Sequence, residues 1–73
     1  MPLRELRRRP QEVRLKNYRM RLIASGEGHT IVVRDPSDRV IYAGWEPGTR
    51  TWAHLVGRDA IARDQAARRE VAA

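Results

Sequence analysis

Residues 29–45 read HTIVVRDPSDRVIYAGW, and the fold turns on them. Thr30, Ile31, Val32 and Val33 are crowded at Cβ, which disfavours a helix and suits a pleated surface. Asp35-Pro36-Ser37-Asp38 is a turn with a physical cause. The carboxylate at its first position accepts backbone N–H groups, and proline presets φ at the second. Arg39 to Trp45 then makes a further strand, which Glu46-Pro47-Gly48 stops. Segment, turn and segment together predict an antiparallel hairpin.

Upstream, Val13 and Leu15 alternate with Arg14 and Lys16. After a slip of phase at Asn17, Tyr18, Met20, Leu22 and Ala24 alternate with Arg19, Arg21 and Ile23. This period of two predicts a strand over 13–24, with a bulge or turn at Asn17. A helix over Gln11–Ile23 competes, since Leu15, Tyr18 and Leu22 also fit a helical spacing. The turn signal Ser25-Gly26-Glu27-Gly28, leading into the β-branched run, favours the strand. Strands over 13–24, 29–34 and 39–45 make a three-stranded antiparallel meander that needs cover on one face. With Tyr18, Met20 and Leu22 turned toward that cover, Arg19, Arg21 and Ile23 face outward, and Thr30, Arg34 and Arg39 are expected beside them.

Downstream, a helix over about 50–71 supplies the cover, giving an α+β domain over 13–73. Thr49 or Thr51 can cap it, and Trp52, Leu55 and Val56 share one face of its first turns. Continued without interruption, that phase would align Asp59 and Arg63 with Trp52 and send Ile61 to the far side. A break near Gly57, with Asp59 recapping a second segment, is therefore predicted. A helix-turn-helix around Gly57 would want an aliphatic residue where Arg63 stands, which argues against it. Phenylalanine is absent, so Tyr18, Tyr42, Trp45 and Trp52 are expected chiefly in the core. Trp45, at a strand end, would serve as an interface anchor if it were exposed instead.

The 73 residues include no cysteine, which excludes disulfides, thiolate nucleophiles and cysteine-ligated zinc. No cofactor or metal is expected. Apolar runs are far too short for a membrane span, and the N-terminus lacks the apolar stretch of a signal peptide, so a cytoplasmic protein is expected. His29 and His54 have no Asp, Ser or metal-ligand partner at a motif spacing. Ser25-Gly26-Glu27-Gly28 lacks the following helix and Lys-Ser/Thr of a phosphate-binding loop. A non-catalytic protein is expected.

The net charge is +6, and its placement is uneven. Residues 1–24 hold Arg4, Arg7, Arg8, Arg9, Arg14, Lys16, Arg19 and Arg21 against Glu5 and Glu12, or 8 − 2 = +6. Residues 25–73 hold seven arginines and seven acids, which cancel. Residues 1–12, with Pro10 to end any helix begun at Leu3, read as a mobile basic arm. A neutral body with a cationic arm and edge suits a phosphate-bearing partner, DNA first. The residues expected to meet it are Arg7, Arg8 and Arg9 from the arm, then Arg14, Lys16, Arg19, Arg21, Arg34 and Arg39 from the sheet. A twisted basic sheet can lie in a major groove.

In order of elements only, without their signature residues, the outline resembles the sheet-plus-helix DNA-binding domains of phage-type integrases and plant AP2 factors. That resemblance implies recognition through the sheet. The other expectation is a protein-interaction module, such as a phage or plasmid protein that modulates a host protein through the sheet edge or an exposed Trp. The same edge could pair with a second copy as a homodimer.

Overall fold

A computed structural model of the chain describes residues 10–72. Their elements run β1 (Gln11–Leu15), β2 (Tyr18–Ser25), β3 (Gly28–Arg34), β4 (Val40–Pro47) and α1 (Arg50–Ala72). The strands form one antiparallel sheet in the order β1-β2-β3-β4. One face of it is covered by α1, which packs on β3 with β2 and β4 to either side.

The sheet has four strands where the sequence predicts three. Residues 13–24 divide at Lys16-Asn17, where φ is 51° and 71°. Two consecutive left-handed residues are the pattern of a type I′ turn, whose twist matches that of a two-residue hairpin. No glycine marks the turn, so in the sequence it reads only as a slip of phase. β1 begins at Gln11, and two residues expected in the arm instead pair with β2, Gln11 opposite Leu22 and Glu12 opposite Arg21. Of the rest of the predicted arm, Pro10 leads into β1 and residues 1–9 lie outside the described residues.

The predicted break at Gly57 does not occur: α1 is a single helix of 23 residues. Its contact stripe is set by small residues, not by Trp52 and Leu55, which are 50% and 51% exposed. Ala53, Gly57 and Ile61 are buried, and Ala60 and Asp64 are half-buried, a spacing that keeps to one helical face. Gly57 sits where the helix crosses Met20, and a Cβ there would stand 2.5 Å from Met20 Sδ. The missing side chain permits the close approach. Thr49 caps the helix, its Oγ1 accepting from Trp52 N–H at 3.2 Å.

The core joins Tyr18, Met20 and Leu22 of β2 to Ile31 and Val33 of β3 and to Ala53 and Ile61 of α1. Met20, Leu22, Ile31 and Val33 are its largest fully buried side chains, each stabilising the fold by about 1.5–3 kcal/mol over exposure. A bulge between β3 and β4 leaves Ile41 as an extra residue, since Val33 pairs with Tyr42 and Arg34 with Val40. Both Ile41 and Tyr42 then pack against the core. Of the four rings expected inside, Tyr18 is buried and Tyr42 half-buried, while Trp45 and Trp52 stand exposed. The volume they would have filled comes from aliphatic side chains and Met20. Among the described residues, no helix is long and apolar enough to cross a membrane.

Candidate nucleic-acid interface

Alternation along the strands places every second residue on the face turned away from α1, which no described element covers. Strand pairing arranges these residues in rows. Arg14, Arg19 and Arg34 lie side by side across β1, β2 and β3. Glu12, Arg21, Val32 and Ala43 form the next row, Ile23, Thr30 and Trp45 the one after it, and Ser25, Gly28 and Pro47 the last. Like charges directly opposite one another destabilise a sheet, so the arginine row is costly. Asp38, in the turn between β3 and β4, offsets part of that cost. Its carboxylate pairs with Arg19, and its carbonyl accepts from Arg34 Nη1 at 3.0 Å.

Four of the sheet arginines predicted to meet a partner are thus brought together: Arg14, Arg19, Arg21 and Arg34. Arg19, Arg21 and Arg34 border a shallow trough floored by Ile23 and Val32. Lys16 is exposed in the turn joining β1 to β2. Arg7, Arg8 and Arg9 lie outside the described residues. Arg39 is placed differently from the expectation. It lies on the helix side, lining a cleft with Asp64 and Arg68, because the turn at Asp35 and the bulge at Ile41 upset the alternation that would have carried it to the open face.

Comparison with known protein families, curated proteins and solved structures finds no match.

The turn that brings Asp38 to the arginines is held by buried Asp35. One carboxylate oxygen accepts from the backbone N–H groups of Ser37 and Arg39, each at 2.9 Å. The other accepts from Arg68 Nη2 at 2.6 Å. The Arg39 N–H bond, with the Ser37 N–H and Arg68 adding to it, holds the Asp35 carboxyl below the usual range against the opposing effect of burial. Asp64 is likewise held low, first by the Tyr18 hydroxyl and then by Arg68. Burial, reinforced by Asp64, pushes Tyr18 up. The chain Tyr18, Asp64, Arg68, Asp35 ties β2, α1 and the turn together beneath the open face.

Two features of this face escaped the sequence reading. Asp38 was legible as a turn residue but not as a partner of Arg19, 19 positions away. Trp45 was expected in the core. Its pairing with Thr30 puts it on the open face instead, the exposed alternative that its place at a strand end allows. As for chemistry, His29 is half-buried and its Nδ1 has no hydrogen-bond partner among the described residues. Among the same residues, no group of three or more His, Cys, Asp or Glu could hold a metal ion.

Proposed function

We propose that this is a small non-catalytic DNA-binding protein, an accessory or regulatory factor of a prokaryotic chromosome or mobile element. Its open sheet face meets the DNA, with residues 7–9 extending the contact. The supporting observation is the uncovered arginine row, Arg14-Arg19-Arg34, with Arg21 beside it and Lys16 at the adjoining turn. A sheet held at a cost in self-repulsion accords with selection for an anionic partner rather than for stability. Arg39 is left out of this surface. The reading carries with it a cytoplasmic setting.

Titration of a labelled duplex with the intact chain, and with a chain lacking residues 1–9, tests this reading. Micromolar or tighter binding at about 50 mM salt that falls steeply by about 200 mM supports it. Absence of binding at the lower salt, both to the duplex and to either of its separated strands, contradicts it.

A second reading has its own support. Trp52 and Leu55 stand half-exposed one turn apart on α1, away from the arginines. Exposed aromatic and aliphatic side chains anchor protein interfaces, and among the described residues no strand pairs with the outer edge of β1 or β4, which would leave them to an added strand or a second copy. On that reading the protein is a phage or plasmid module that docks on a host protein, and its binding would change little with salt.

A further inference from the structure

The open face ends in a tryptophan whose position is fixed. Trp45 is 48% exposed, yet its indole N–H donates to the Ser25 carbonyl at 2.9 Å. Its ring lies over Gly28: a Cβ there would stand 2.8 Å from Trp45 Cζ2 and would also collide with the Glu46 carbonyl. Gly28 is buried although it belongs to the outward-facing row next to Trp45, between Ser25 and Pro47. The Nε1–Cζ2 edge of the indole is therefore held against backbone, and about half of the residue is open to solvent. Its cross-strand neighbours are Thr30 and Ile23, neither of them charged.

This aromatic plate shares a face with the arginines. Along the strands the Trp45 row lies about 6.6 Å from the Arg21 row and about 13 Å from the row holding Arg19 and Arg34. Glu12 stands opposite Arg21, and Asp38 pairs with Arg19. A ligand crossing the face obliquely, from β4 toward β2, would meet an exposed apolar ring first and then successive guanidiniums. A nucleic-acid strand has that profile, bases with π faces joined by regularly spaced phosphates.

Duplex and single strand differ at this point. In a duplex the faces of the bases are stacked on one another, and an indole on the surface of a sheet finds no π surface to cover. An unpaired base offers one. Because the ring is held in advance by Ser25 and Gly28, little rotamer entropy remains to be lost on binding.

Resting on the DNA-binding reading above, we infer that the ligand is single-stranded DNA, with an unpaired base stacked on Trp45 and its neighbouring phosphates passing over Arg21 toward Arg19 and Arg34. Stacking of this kind tolerates any base, and the arginines contact only the backbone, so the selectivity is for strandedness rather than sequence.

The test uses the full chain carrying Trp52→Phe, which leaves Trp45 as the only tryptophan. The probes are an oligothymidine of about 12 nucleotides, within the range of such sites, and a duplex of equal length. The expected result is binding of the single strand at least about tenfold tighter than the duplex, with quenching of Trp45 emission. Trp45→Leu in the otherwise intact chain should lose about tenfold or more on the single strand, within the reach of one stacked base, and Trp45→Phe should recover most of it. Circular dichroism of each variant establishes that the sheet is intact. If the duplex binds as tightly as the single strand, or Trp45→Leu leaves single-strand affinity unchanged, the inference is overturned while the DNA-binding reading stands. If neither probe binds at about 50 mM salt, both fall.

Discussion

The phenolic oxygen of Tyr18 donates to Asp64 Oδ2 at 2.6 Å, joining β2 to α1 across 46 positions of sequence. The same oxygen of Asp64 accepts from Arg68 Nε at 2.7 Å, and Arg68 reaches on to Asp35. Tyr18→Phe keeps the ring in the core and deletes only the hydroxyl. A net loss of about 1 kcal/mol is expected, read as a fall of roughly 4–8 °C in the unfolding midpoint of a domain this size. An unchanged midpoint would show that the network does not hold helix to sheet.

Acid should unfold the protein through Asp35 and Asp64. Both carboxyls are held below their ordinary values when folded, Asp35 first by the Arg39 N–H and Asp64 first by the Tyr18 hydroxyl. A depressed folded pKa contributes stability above the unfolded value of about 3.9 and loses it as pH falls below that. Chemical unfolding from pH 7 to about 2 should show a plateau followed by a decline beginning near pH 4. Asp35→Asn should flatten that decline and lower the plateau. Tyr18, pushed up by burial, behaves in the opposite sense: its contribution is present below about pH 10 and is lost as pH rises through its raised value.

Gly57 should invert the usual helix rule. Glycine to alanine inside an exposed helix gains about 1 kcal/mol, but here the added methyl would meet Met20 Sδ at 2.5 Å, and Met20 is fully buried. Gly57→Ala should destabilise by about 1–3 kcal/mol. In a Met20→Ala background the same change should become neutral or favourable, because the obstacle is gone. A double-mutant cycle by urea unfolding measures the coupling. Equal effects in both backgrounds would remove Gly57 as the point of close approach.

Stability and binding should move in opposite directions at Arg14. It faces Arg19 across the β1–β2 ladder, so Arg14→Thr relieves repulsion and should stabilise by about 0.2–1 kcal/mol. The same change removes a cation from the open face and should weaken DNA binding. A substitution that stabilises and leaves DNA affinity unchanged would identify Arg14 as an ordinary solvated residue.

The parts of this fold that could be read in advance are those fixed by local chemistry. β-branching located β3, the Asp35-Pro36 pair located the turn after it, and the parity of β2 separated Tyr18, Met20 and Leu22 from Arg19 and Arg21. What escaped depends on tertiary contact. A type I′ turn built from Lys and Asn carries no glycine signature, so β1 and β2 read as one strand. Large apolar residues point to Trp52, Leu55 and Val56 as the contact face of α1, but the close crossing over Met20 selects Ala53 and Gly57, and of the three only Val56 packs against the core. The Trp52 indole is outside because small residues let the helix sit too near the sheet to admit it, and Trp45 because its register opposite Thr30 turns it to the other face. At the site, the arginines of β2 and β3 were legible from alternation, whereas Arg39 was misplaced by a bulge that no local signal announces.

Whether the open face is the DNA-binding surface is decided by the salt dependence of affinity, measured for the intact chain and two matched variants. One carries Arg14→Ala, Arg21→Ala and Arg34→Ala on the open face. The other carries Arg58→Ala, Arg63→Ala and Arg69→Ala on exposed positions of α1, removing the same formal charge. The open-face variant is expected to lose most of its affinity, and its log–log salt slope to fall by roughly 2–3, about one for each phosphate that an arginine no longer neutralises. The helix variant should lose little. Equal losses in the two variants would mean that net charge alone attracts DNA, and would contradict a binding surface on the sheet.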